Sequence, residues 1–224
     1  RNSFFHSLLE KGRLVYTHDP TIETLVEQLR GLGERDTRIQ LLRIAMSALL
    51  PLDKARKWLV VRGDLEYAAF WILEVANILA RLEVTSASLL ADREVLPQAL
   101  KLNPKFFGLI YSNLLNSKKT PSAVGAALDA IDAYLADKTK TIFSPVIDYL
   151  RDAGEARSST EIDAYFQKHF ELESVLPACE YLASQGRIVL AATAVQLTRR
   201  SNVSLQEMAF AFAGNTREED YQAY

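Results

Sequence analysis

The chain has 224 residues, 49% of them hydrophobic, with only 9 Gly and 7 Pro. That composition excludes collagen-like, low-complexity and disordered chains and leaves a globular protein of one to two domains. A formal charge of −2 gives the whole chain no pull on nucleic acid or anionic lipid, so any basic surface has to be local. The single cysteine, Cys179, and the histidines His6, His18 and His169 make neither an internal disulfide nor a structural zinc set. No apolar run has the length to span a bilayer, and charges occupy the first twenty residues where a signal peptide is apolar. A cytoplasmic protein without a membrane partner is expected.

The chain begins at Arg1, not Met, and Arg13-Leu-Val-Tyr-Thr17 has the composition of a short strand with no second strand for more than a hundred residues. A lone strand needs a sheet, so this one either pairs with a distant segment or belonged to a sheet outside this chain. From Asp19 onward the pattern is helix after helix. Asp19-Pro20, Asn103-Pro104 and Thr120-Pro121 each set a side-chain acceptor before a proline suited to the first helical position. Glu34 to Leu50 carries Ile39, Leu42, Ala45, Met46 and Leu49 on one face, and Leu50-Pro51-Leu52-Asp53 is expected to end that helix and cap the next. Gly63 interrupts the following stretch, after which Leu65 to Ala80 is apolar nearly all round, the pattern of a helix at the centre of a bundle. Residues 20–140 therefore read as an antiparallel helical bundle.

Polarity rises at Asp137 to Thr141, where a boundary is placed. Beyond it come helices over Phe143–Ala153, Thr160–Phe170 (capped by Thr160) and Glu173–Gln185, then strands over Arg187–Ala192 and Val195–Thr198 around a tight turn. Three helices followed by a hairpin is the order of a winged helix-turn-helix module, assigned to residues 141–214. Ser204–Ala213 reads as one further helix within it, and residues 215–224 as a flexible tail. The fold class expected is mostly α: a bundle followed by a winged helix with a small β-hairpin.

Chemistry is sparsely signalled. Arg62, Asp64, Glu66, Tyr67, Trp71 and Glu74 form the densest polar and aromatic set, and Tyr67, Trp71, Glu74 and Asn77 recur at helical spacing. A buried carboxylate needs a partner, so Glu74 is expected either to pair within the bundle or to face a ligand. Serine nucleophile elbows and phosphate-cradling loops are absent from the sequence, and no catalytic or metal-ligating residue is assigned. The winged-helix segment from Thr141 onward holds seven basic and twelve acidic residues, a formal charge of −5, and its third helix carries Glu173 and Glu180 without Lys or Arg. Lys168, Arg187, Arg199 and Arg200 are the cations placed to meet phosphates, with His169 beside them. DNA is thus a partner that the charge disfavours.

Arg62-Gly-Asp-Leu-Glu-Tyr-Ala-Ala-Phe-Trp-Ile-Leu-Glu-Val-Ala-Asn-Ile-Leu79, Leu100-Lys-Leu-Asn-Pro-Lys-Phe-Phe107 and Ile110-Tyr111 resemble the helical substrate-binding domain of nucleotidyltransferase-like proteins of the YgxA type. Phe143 to Leu150, Glu180 to Gly186 and Gln196 to Ser201 resemble the winged-helix module that follows it. The resemblance implies a catalytic nucleotidyltransferase domain with a Gly-Ser turn and an Asp-x-Asp pair that hold magnesium and a nucleotide triphosphate, and it makes residues 1–19 the remnant of that preceding α/β domain, its closing helix and last strand. This chain contains no Gly-Ser, and Asp129-Ala-Ile-Asp132 has the wrong spacing. The chain is therefore expected to be a non-catalytic accessory part, with Arg62, Asp64, Glu66, Tyr67, Trp71 and Glu74 holding a nucleotide or small-molecule acceptor. Two other classes stand beside it: a transcription regulator with an effector-binding bundle, and a structural or partner-docking module.

Overall fold

The computed structural model describes residues 15–24, 34–89, 91, 94–196 and 204–214. Helices dominate, with one small three-stranded antiparallel sheet. Residues 20–24 form a helical turn whose start is held by Asp19, which accepts from the Thr21 N–H at 2.8 Å. Residues 15–17 are not in a strand, and the rest of the expected first strand lies outside the described residues.

Helix α1 spans Glu34–Lys57 and passes straight through Pro51, where the sequence suggested a break. An interior proline costs about 3 kcal/mol, yet Leu49, Leu52 and Ala55 around it are all buried and continue the face begun by Ile39 and Leu42. Burying two leucines offsets that cost, at about 1.5–3 kcal/mol each. The helix then widens into a π-turn, Trp58–Arg62, closed by Gly63 at φ 66°, a left-handed position that glycine adopts without a Cβ penalty.

Asp64 caps α2 (Leu65–Ser86) by accepting from the Tyr67 N–H. This helix is not apolar all round in its setting. Ala68, Ala69, Ile72, Val75, Ala76 and Leu79 are buried, whereas Glu66, Phe70, Glu74 and Arg81 form an outward row. Helix α3 (Val95–Leu102) packs on α2. Asn103 caps α4 (Pro104–Phe107), which runs on through a second π-turn to Asn116. Thr120 caps α5 (Pro121–Ile142), so the three expected acceptor-proline starts all form.

Helix α6 spans Ser144–Ala153, strand β1 Arg157–Ser158, α7 Ser159–Phe170 and α8 Leu176–Ser184. The cap of α7 is Ser158, not Thr160: its hydroxyl takes the Glu161 N–H while the Glu161 carboxylate takes the Ser158 N–H, a reciprocal capping box. Strand β2 runs unbroken over Ile188–Gln196, where a turn was expected between two shorter strands. Its partner is β3, Ser204–Phe212, the segment read from sequence as a helix. Leu, Gln, Glu, Met and Ala favour helix in isolation. Here nine consecutive pairings, from Ile188↔Phe212 to Gln196↔Ser204, and a second edge at Arg157↔Phe210 override that preference. The sheet order is β1-β3-β2.

One buried cluster runs from Ile39 and Leu42 through Ile72, Leu79 and Ile131 to Phe166, Cys179 and Phe210. Arginines of α1 tie its outer edge to α5 and to the C-terminal elements. Arg38 reaches Ser144 and Asp148 of α6, Arg43 donates to the carbonyls of Phe170 and Glu171, and Arg56 pairs with Asp132 of α5.

Candidate functional site

The end of α1 and the start of α2 bring four rings together. Trp58 meets Tyr67 edge-on at 4.5 Å, Tyr67 stacks on Phe70 at 5.7 Å, and Trp71 lies edge-on to both, at 6.0 and 5.4 Å. The π-turn and the left-handed Gly63 reverse the chain so that Trp58 folds back over Tyr67. Tyr67 and Phe70 remain 41% and 46% exposed, an unusual display for rings that contact one another. The Lys54 ammonium sits 4.3 Å from the Trp71 ring centroid. The Trp71 Nε1–H is buried without a hydrogen-bond partner among the described residues.

The expected binding residues divide in this setting. Tyr67 and Trp71 belong to the ring cluster. Arg62, Glu66 and Glu74 are exposed, so Glu74 is not a buried charge, and it forms no ion pair among the described residues. Asp64 spends one carboxylate oxygen on capping α2, a structural task. Trp58, Lys54 and Phe70 were missed. The Phe70 signal was its i, i+3 spacing from Tyr67, whereas Trp58 and Lys54 lie on the preceding helix and join only through the Gly63 reversal.

Of the cations expected to meet nucleic acid, two fall among the described residues. Lys168 is exposed on α7, Arg187 precedes β2, and Arg199 and Arg200 lie outside the described residues. The groove beside α8, of about 380 Å³, is lined by Glu180, Ala183, Ser184, Leu190, Met208 and Phe210, with no cation. Helix α8 also packs on α1, and its Tyr181 ring lies 5.0 Å from Phe143.

A magnesium-nucleotide centre does not fit the described residues. Among them, His, Cys, Asp and Glu form no group of three or more that suits a metal ion, and Asp132 is taken by Arg56. No helix among the described residues is long and apolar enough to cross a membrane.

No family model matches this sequence, and no curated protein matches it. The fold is similar to that of a solved structure, a nucleotidyltransferase-like protein from Exiguobacterium sibiricum 255-15, with a TM-score of 0.71 and 18% identity, covering 95% of this chain and 71% of that one. The two chains therefore share a mostly helical fold.

Proposed function

We propose that this chain is the accessory, acceptor-holding part of a nucleotidyltransferase-like protein of the YgxA type, with magnesium and nucleotide triphosphate handled by residues outside it. The observation that carries the reading is the exposed ring cluster of Trp58, Tyr67, Phe70 and Trp71, flanked by Arg62, Glu66 and Glu74 on a fold of that kind. The rings offer faces and edges to a flat acceptor. Glu66 and Glu74 accept from its hydroxyl or amine groups, and Arg62 takes an attached phosphate.

In this reading α6 to β3 are a winged-helix module, a description supported by the order helix, strand, helix, helix, strand, strand. The module serves packing in place of DNA reading. Its third helix leans on α1, and the groove beside that helix carries Glu180 and apolar side chains, a poor surface for phosphates.

The sequence contains two tryptophans, both in the cluster, so fluorescence excited selectively at tryptophan, clear of the tyrosines, reports on this site. Titrating nucleosides and amine-bearing ring compounds is expected to give saturable quenching that Tyr67→Ala weakens about tenfold and Glu74→Gln weakens for amines only. Quenching that both variants leave intact, or none across the series, would refute the reading.

A further inference from the structure

A second concave site lies on the opposite half of the sequence, and its charge runs against that of its surroundings. A groove of about 490 Å³ opens between the end of α5, one face of α6 and the sheet, a volume within the range of small-ligand sites. Its cations come from three separate elements: Lys140 from the last turn of α5, Arg151 from the last turn of α6, and Arg187 from the turn into β2. That turn is fixed by backbone. Gly186 takes φ 63°, and the N–H groups of Gly186 and Arg187 close on the carbonyls of Ala183 and Leu182, each at 2.9 Å. Arg187 therefore leaves the chain in a set direction.

The lining holds one carboxylate, Asp148, and it is already engaged by Arg38 and by Arg151. Lys140 and Arg187 are exposed and form no ion pair among the described residues. Like charges converging without a counter-charge raise the local potential and gather anions. They do so in a chain of charge −2. The floor is apolar, formed by Ile147 and Phe212, and the Arg151 guanidinium lies 4.9 Å from the Phe212 ring centroid.

We infer that this groove binds a small phosphomonoester that carries a flat apolar group, with the phosphate between Lys140 and Arg187 and the flat group on Phe212 and Ile147. Guanidinium and ammonium donors around a dianion give charge-assisted hydrogen bonds. The ring floor adds a preference that a bare phosphate cannot use. Nucleic acid is the poorer fit, because a backbone needs a stripe of cations, and these three converge on one cavity.

Calorimetric titration of the protein with phenyl phosphate and with inorganic phosphate tests this. One saturable site is expected, with phenyl phosphate bound several-fold tighter. The double variant K140A/R187A is expected to weaken phenyl phosphate by about tenfold or more at an unchanged thermal midpoint. Lys105→Ala, at an exposed cation of α4 outside the groove, is expected to change nothing. Phe212→Leu is expected to shrink the preference for phenyl phosphate while inorganic phosphate binds as before. No saturable binding, or binding indifferent to K140A/R187A, would overturn the site. Equal affinity for the two probes would overturn the flat-group assignment.

Discussion

The long helices α1, α2 and α5 and the C-terminal elements close their interiors with different side chains. Between α1, α2 and α5 the large fully buried side chains are aliphatic, Leu42, Leu52, Ile72, Leu79, Ile131 and Leu135, and Tyr134 is the one buried ring that these helices contribute among the described residues. From α6 onward rings take over. Tyr149 stacks on Tyr165 at 4.2 Å, Phe166 meets Tyr149, Tyr165 and Phe170 within 6 Å, and Phe143 and Phe210 are fully buried. Length explains the choice. Helices of 24, 22 and 22 residues bury a long stripe with modest side chains. Helices of 10, 12 and 9 residues have few inward positions, and each must remove more area from water.

The largest expected effect tests whether the two interiors are one. Phe166→Ala is expected to cost about 3–5 kcal/mol and Leu79→Ala about 2–5 kcal/mol. Because both lie in the same buried cluster, each is expected to lower a single cooperative unfolding transition. Cys179 gives an independent reading: it is buried, and burial pushes its thiol up to about 12, so it reacts only when the surrounding packing opens. Labelling of Cys179 is expected to accelerate in both variants. Faster labelling in Phe166→Ala alone would divide the molecule into two separately opening units.

The same contrast marks what the sequence made legible. Long amphipathic helices and acceptor-proline starts were readable, because their signals are local: Asn103 and Thr120 cap their helices as their side chains suggest. Signals failed where partners distant in sequence decide. Pro51 sits inside α1 because the buried leucines on either side outweigh its local cost. Ser204–Phe212 becomes a strand because β2 and β1 flank it. The ring cluster was half legible, through Tyr67 and Trp71, while Trp58 and Lys54 depended on a reversal at Gly63. The cationic groove was invisible, since Lys140, Arg151 and Arg187 share no spacing.

A middle-sized effect is expected at the join between sheet and helix. Glu207 of β3 accepts from the Thr160 N–H at 2.7 Å and the Ser159 hydroxyl at 2.8 Å, fastening β3 to the first turn of α7. These bonds, led by that of the Thr160 side chain, hold the Glu207 carboxyl below its ordinary value. A carboxyl depressed in the folded state stabilises above its unfolded pKa and loses that contribution as pH falls through the folded one. Glu207→Ala is expected to cost about 1 kcal/mol at neutral pH, the half-buried carboxylate being partly screened by solvent. The gap to wild type is expected to close in acid. Denaturant midpoints measured from pH 7 down to pH 2 check it, and a gap that stays constant would sink the assignment.

The smallest effect belongs to the outward row of α2. Phe70 touches Tyr67 and Trp71 but is nearly half exposed, whereas Ile72, two positions on, is fully buried. Phe70→Ser is expected to lower stability by about 1 kcal/mol or less, the worth of its ring contacts, and Ile72→Ala by about 2–5 kcal/mol. Thermal midpoints of the two variants provide the comparison. A ring whose removal costs the fold little is free to serve binding, so a small loss at Phe70 accompanied by lost ligand quenching would separate recognition from folding on one helix. A loss at Phe70 as large as that at Ile72 would make the cluster a part of the core.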